Sequence, residues 1–377
     1  MTSVINYPGS DSNNPEARKN AGSKPIQRPE ALLKVQDIAY VLFEKPDLRE
    51  QSAFLQDFGM LPVEETGQAI YMRGHGPSPW FYAAYPGKTS RFLGTGFLVN
   101  SSEELQSISA ATNTPIEAMT EPGGGQRVRL HDPDGFIVDI VHGRETQPRM
   151  DSRQQLFAVN TPGQKNRINA RVSTLPAPSP LERLGHLVIA VTDFAVSADW
   201  YMRHIGIIPG DVQCVADGSP VLAFMRCDRG SQPADHHTVV LLQNFAPSCM
   251  HTAYETFDLD SVGQGAQYLH AKGREHFWGI GRHILGSQIF DYWKDPYGDE
   301  LEHYADGDMF DADYPTHYHP FDPGSLWAWG QDTPPAPSPS LFTILKLVVS
   351  GKMAKLPRPL LQQMRTALAI KRRPWTD

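Results

Sequence analysis

Two pairs of stretches in this chain repeat one another at long range. KVQDIAYVLFEKPDLREQSAFLQDFGM, starting at Lys34, parallels RLGHLVIAVTDFAVSADWYMRHIGI, starting at Arg183. In each, a half-buried strand gives way to a short helix that ends near Gly59 or Gly206. VRLHDPDGFIVDIVHG, from Val128, parallels DYWKDPYGDELEHYAD, from Asp291, each a strand, a DPxG turn and a second strand. Such a repeat constrains architecture before any composition does, because both copies must build the same unit. It predicts an α+β fold of two blocks, each made of two short β-rich modules with a helix apiece and a sheet curled around a cavity. The expected boundaries are a flexible N-terminal arm at 1–33, a first block at 34–146, a linker at 147–180, a second block at 181–308 and a C-terminal flap and basic tail at 309–377.

Bulk properties remove several functions. A length of 377 residues suits two domains with tails, and 40% hydrophobic residues suffice for real cores. A net charge of -8 and a pI near 6.0 give no support for nucleic acid. Cys214, Cys227 and Cys249 are odd in number and lack CxxC spacing, which favours a reducing, cytoplasmic compartment. The polar N-terminus has no apolar signal core. The longest apolar run, Leu341 to Val349, is too short to span a bilayer and carries Lys346, so integral membrane association is not expected. From Leu341 to Asp377 there are eight Lys or Arg and one acid. This amphipathic tail reads as packing on the body or on another subunit rather than on a membrane. EPGGGQ, from Glu121, lacks the lysine of a phosphate loop and reads as a turn.

The repeat is most informative where it fails. His186 aligns with Asp37, and Glu302 aligns with Asp139, each four residues after a turn glycine (Gly298 and Gly135). No first-block histidine stands where His251 does. Alternation after the turn puts Glu300 and Glu302 on one strand face and Leu301 and His303 on the other. Singly, His186 and His251 read as ordinary strand histidines. Jointly with Glu302 they form the two-histidine, one-carboxylate set that suits Fe(II) or Mn(II) with open coordination positions. The site is therefore expected in the second block, with the first as scaffold.

His283, Tyr292, Pro296, Gly298 and Glu302, together with LGHLVIAV, HHTVVLL and MHTAYE, resemble the type I extradiol ring-cleavage dioxygenases of the vicinal oxygen chelate superfamily. The resemblance covers roughly residues 35 to 308. It implies two tandem vicinal-oxygen-chelate domains of paired βαβββ modules, the first without metal. It implies metal ligands His186, His251 and Glu302, a mononuclear Fe(II) with Mn(II) as the alternative, and O2 as co-substrate. It implies His237 as acid–base residue, with His236 as a possible substitute, and His283 and Tyr292 as hydrogen-bonding helpers. Asp291 departs from the usual apolar position before the tyrosine, with Phe290 one place earlier. The implied substrate is a small aromatic diol, and the implied assembly is a homo-oligomer. WAWGQDTPP and the long tail point toward the trihydroxytoluene-type enzymes.

The residue chemistry agrees with this reading. Chelated vicinal hydroxyls lose protons more readily, and a histidine can accept and return them near neutral pH. Strand alternation would place His237 on a face with Val239 and Leu241. Trp200, Tyr201, Phe245, Trp278 and Trp293 are candidate pocket walls. His317 and His319 in HYHPF belong to the flap, with a second metal site as the lesser reading. The rival functions are a glyoxalase- or epimerase-like isomerase of the same superfamily and a non-catalytic binding protein of this fold.

Overall fold

The computed structural model describes residues 25–150, 159–172, 176–215, 217–321 and 326–334. The first 24 residues and the basic amphipathic tail lie outside the described residues. The first block runs β1 (Asp37–Lys45), α1 (Leu48–Phe58), β2 (Leu61–Glu65), β3 (Ile70–Arg73), β4 (Tyr82–Pro86), β5 (Arg91–Leu98), α2 (Ser102–Thr112), β6 (Ile116–Ala118), β7 (Gln126–His131) and β8 (Ile137–His142). The second runs β9 (Leu181–Val191), α3 (Phe194–Ile205), β10 (Ile207–Cys214), β11 (Pro220–Cys227), β12 (Ala234–Asp235), β13 (Val239–Gln243), β14 (Ser248–Thr256), α4 (Leu259–Ala271), β15 (Glu275–His283), β16 (Ile289–Lys294) and β17 (Glu300–Ala305). Three short strands follow: β18 (Met309–Phe310), β19 (His317–Pro320) and β20 (Trp327–Gly330).

Each block builds one mixed sheet, of eight strands in the first and ten in the second. Within a module the first strand pairs parallel with the last, as β1 with β4 and β9 with β13. The two modules of a block join antiparallel through their first strands, β1 with β5 and β9 with β14. This is the paired βαβββ arrangement that the resemblance implies, and it agrees with the two β-rich modules per block expected from the repeat. Local chemistry explains why the copies match. Asp47 and Asp193 cap α1 and α3 by accepting backbone N–H groups, and Gly59 and Gly206 end those helices in left-handed conformations. Asp258 caps α4 in the same way.

The DPxG turns share a mechanism too. Asp132 Oδ1 accepts from the N–H groups of Asp134 and Phe136, and Asp295 Oδ1 accepts from those of Tyr297 and Asp299. Gly135 and Gly298 follow at φ 90° and 88°, a region costly for other residues. Each turn docks on the other block. Asp134 accepts from Thr192 N, and Asp132 Oδ2 accepts from the Tyr201 hydroxyl at 3.0 Å. In return, the wholly buried Lys45 ammonium donates to Asp295 and Asp299. One apolar core runs through both blocks, from Leu33 to Leu301. Residues 25–33 reach the second block, where Leu32 N donates to Arg203 O at 2.7 Å. No helix among the described residues is long and apolar enough to cross a membrane.

His303 points away from Glu302 into the join between blocks. It donates Nε2–H to Phe58 O at 2.7 Å and stacks on the Phe58 ring. Burial pushes its pKa down to about 4 from 6.5. Between those values the unfolded chain binds the proton and the folded chain does not, so stability is complete above pH 6.5 and falls as pH drops through the window. The expected loss is about 3 kcal/mol by pH 4. Urea unfolding of the metal-free chain should show that slope, and His303→Gln should flatten it; an unchanged slope would place the acid sensitivity elsewhere.

Candidate metal centre

Three strands that are neighbours in the second sheet carry the triad. His186 stands on β9, opposite Ala253 of β14, which in turn is opposite Glu302 of β17. His251, two residues before Ala253, reaches the same spot. His186 Nε2 lies 3.1 Å and His251 Nε2 3.3 Å from Glu302 Oε2. The ligand atoms of the three residues all fall within 4.8 Å of one another, and this is the one such group found among the described residues.

The protonation states suit a cation. Burial opposes the charge on Glu302, but the hydrogen bond with His186 and the nearby imidazoles of His251 and His283 outweigh this and hold the carboxyl well below its usual range. Burial lowers the pKa of His186, leaving it a neutral imidazole. Glu302 Oε1 and His251 Nε2 are buried without a hydrogen-bond partner. Such orphans are expensive unless something else satisfies them. A carboxylate and two imidazoles with unsatisfied atoms fit a divalent ion.

The helper residues gather around the triad. The His237 ring lies 4.1 Å from the His186 ring. Burial, with His186 and His236 beside it, drives its pKa well down. His283 ends β15, and its Nδ1 donates to Leu326 O at 2.7 Å. Its Nε2 therefore accepts from the Tyr292 hydroxyl at 3.0 Å, while Glu302 Oε1 stands 3.7 Å away. Tyr292 stacks on Trp278, and burial and the nearby Glu302 carboxylate push its hydroxyl pKa far up. So all six predicted residues come together.

Several finer expectations are corrected. The counterpart of His186 is Tyr40, not Asp37. Capping Asp47 matches capping Asp193, and Tyr40 pairs with Gly96, which pairs with Asp139, as His186 pairs with Ala253 and then Glu302. The apolar run misled by three residues, and Asp37 instead ion-pairs with Arg183. Gly94 stands where His251 does. The Tyr40 hydroxyl donates to Asp139, Arg129 binds that carboxylate with two N–H groups, and Trp80 stacks on Tyr40. The first block thus fills its equivalent site with a closed polar pair and an aromatic stack.

His237 does not share a face with Val239 and Leu241. β13 begins only at Val239; Val239 and Leu241 lie in the core, whereas Val240 joins Val188 and Leu222 in a separate apolar cluster edged by Phe224. Of the proposed pocket walls, Trp278 stands beside Tyr292. Tyr201 and Trp293 are core, Trp200 stacks on His204 of its own helix, and Phe245 is exposed. His317 and His319 make no metal group. His319 Nε2 lies 2.6 Å from Asp211 Oδ1 and His317 Nδ1 3.8 Å. His236 points to Asp211 as well, so it does not replace His237 beside the triad. Sequence reading missed Asp211, for which the HYH spacing was the one available signal. Asp291, the departure before Tyr292, is buried and accepts from His276 and from Trp293 Nε1–H.

Residues 183–303 match the model of the Glyoxalase/Bleomycin resistance protein/Dioxygenase superfamily. Metapyrocatechase 2 of Cupriavidus necator is 29% identical over 303 residues, covering 80% of this chain and 90% of that protein. An iron-dependent extradiol dioxygenase of Rhodococcus jostii (strain RHA1) is 25% identical over 297 residues, covering 73% and 90%. Among solved structures, the Mn(II)-bound glyoxalase from Novosphingobium aromaticivorans overlays with a TM-score of 0.68 at 20% identity, covering 81% of this chain and 95% of that one. Homoprotocatechuate 2,3-dioxygenase from Brevibacterium fuscum, in complex with 3,4-dihydroxyphenylacetate, overlays at 0.66 with 20% identity, covering 82% and 94%. The fold is the one these structures share, and the second block carries the superfamily match. The match of the second block and the two relatives make the chain similar to the extradiol dioxygenases of that superfamily.

Proposed function

We propose that this chain opens a catecholic or more hydroxylated aromatic ring beside its vicinal hydroxyls, using O2 and one Fe(II) held by His186, His251 and Glu302. The observation that carries this is the meeting of those three residues with unsatisfied buried atoms on Glu302 and His251. Bound there, Fe(II) would supply Lewis acidity toward the two hydroxyls and a redox centre for O2. In the balanced reaction one ring carbon–carbon bond breaks and both atoms of O2 enter the product.

The chain's own residues orient the diol and move protons. His237, neutral and next to the triad, takes the proton of a substrate hydroxyl and returns a proton later in the cycle. Tyr292 stays protonated over the working pH range, and its one O–H, given to His283 Nε2 in the resting chain, would turn to the substrate oxygen when the diol binds. Val188, Leu222, Val240 and Phe224 form an apolar surface near His237 and His186 that disfavours water. The glyoxalase-like isomerase remains as a second reading because of the Mn(II)-bound glyoxalase overlay, and Mn(II) accepts the same donors. We also propose a cytoplasmic homo-oligomer; three cysteines without CxxC spacing accord with a reducing compartment.

Oxygen uptake by the Fe(II)-reconstituted chain against a panel of catechols tests the reading. Uptake equal to the ring-opened, yellow product supports it, and isomerisation without uptake favours the second. His237→Ala should keep the metal and lose roughly 10²–10⁴-fold in kcat. Undiminished turnover would remove His237 from the acid–base role.

A further inference from the structure

Behind His237 lies a buried chain of side chains that the proposed reaction does not use. His237 Nδ1 is 2.9 Å from His236 Nδ1. His236 Nε2 is 2.5 Å from Asp211 Oδ2, and His319 Nε2 is 2.6 Å from Asp211 Oδ1. All four side chains are buried. Three separate pieces of backbone bring them together. Asp211 lies on β10 and His319 on β19, which pair in parallel along the sheet edge. The segment leading into β19 is clamped by Arg226, which donates to the carbonyls of Asp311 and Tyr314. His236 N donates to Asp308 O, and the rings of Phe224 and Phe310 flank the imidazole. Gly286, at φ 83°, lets a loop pass so close that a Cβ there would meet His236 Nδ1 at 2.9 Å.

Donor and acceptor counting gives this chain a direction. An ionised carboxylate only accepts. Burial disfavours the charge on Asp211, but hydrogen bonds from His236 and His319 outweigh it and hold the carboxyl below its usual range. Both Nε2 atoms therefore carry hydrogen. In the imidazole form of His236, Nδ1 is then left to accept, and the donor facing it at 2.9 Å is His237 Nδ1–H. One ring nitrogen of neutral His237 is thereby protonated, so the other, Nε2, keeps its lone pair.

We propose that Asp211, His236 and His319 lock His237 in the Nδ1–H tautomer, which leaves Nε2 as the atom that takes the substrate proton. The lock deepens the preceding reading, because it assigns His236 and Asp211 as positioning residues for the acid–base histidine. It also gives HHT and HYH in the sequence a joint purpose: the second histidine of HHT does the proton transfer, and the first links it to a carboxylate that HYH completes. A structural role alone would require only that the cluster be satisfied, in either direction.

The test is nitrogen NMR of the full-length chain carrying ¹⁵N-labelled histidine, both metal-free and loaded with diamagnetic Zn(II). The His237 signal is assigned by its absence in His237→Gln. The lock predicts Nδ1 protonated and Nε2 bare in His237. It predicts mixed or reversed tautomers in Asp211→Asn, with kcat down roughly 10–100-fold, the range seen for loss of outer-shell partners. His236→Gln, whose amide can accept from His237 and donate to Asp211, should retain the tautomer; His236→Leu should lose it. A protonated His237 Nε2 in the unaltered chain overturns the proposal, as does an unchanged tautomer in both Asp211→Asn and His236→Leu. If the NMR pattern is as expected but no catechol is turned over, the lock stands and the assigned reaction falls.

Discussion

Glu302→Gln is expected to abolish iron retention and oxygen uptake while leaving the fold intact. Glu302 is wholly buried and lies within reach of both histidines, so the amide removes the one anion of the triad without changing volume. A neutral amide is a poor ligand where two imidazoles already contribute no charge. The loss in Fe(II) affinity should exceed the roughly 10–100-fold typical of outer-shell partners. Equilibrium dialysis against Fe(II) under anaerobic conditions, with circular dichroism as the fold control, reads both effects. A Glu302→Gln chain that still binds one iron tightly would mean that the carboxylate serves only to hold the two histidines in place.

Lys45→Met should produce the largest loss of stability. The ammonium is inaccessible and donates to Asp295, itself inaccessible, and to Asp299. Removing one partner of a buried pair leaves uncompensated charge and costs about 3–5 kcal/mol. The effect reaches the site, because Asp295 also organises the turn from which the strand bearing Glu302 departs. Lys45→Met with Asp295→Asn should recover much of the loss, since the buried charge then goes with its partner. Urea unfolding measures both. A loss below about 1 kcal/mol for the single variant would class the pair with ordinary surface ion pairs.

The sequence exposed the architecture because its repeats share devices that act locally. Aspartates at helix starts and in DPxG turns, and glycines at positive φ, do the same work wherever they stand. That His186, His251 and Glu302 meet was legible from the joint departure of the second block from the first, whereas His237, His283 and Tyr292 were named through the family resemblance. What escaped was long-range placement. The Tyr40 counterpart was hidden by matching apolar runs rather than caps, a three-residue offset that only the sheet register reveals. Val239 and Leu241 were put on the wrong side because the backbone at HHT is irregular and does not alternate. Asp211 is 25 residues from His236 and 108 from His319 along the chain, and nothing local joins them. The Lys45 clamp was equally silent, since it crosses between blocks over 250 residues.

Anomalous scattering at the iron edge, from crystals of the anaerobically Fe(II)-loaded chain, tests the central claim most directly. The account predicts one strong peak per chain between His186 Nε2, His251 Nε2 and the Glu302 carboxylate, with His237 alongside but not bonded to it. A peak beside Asp211 and His319, a fourth protein ligand from the first block, or no peak at the triad would contradict it.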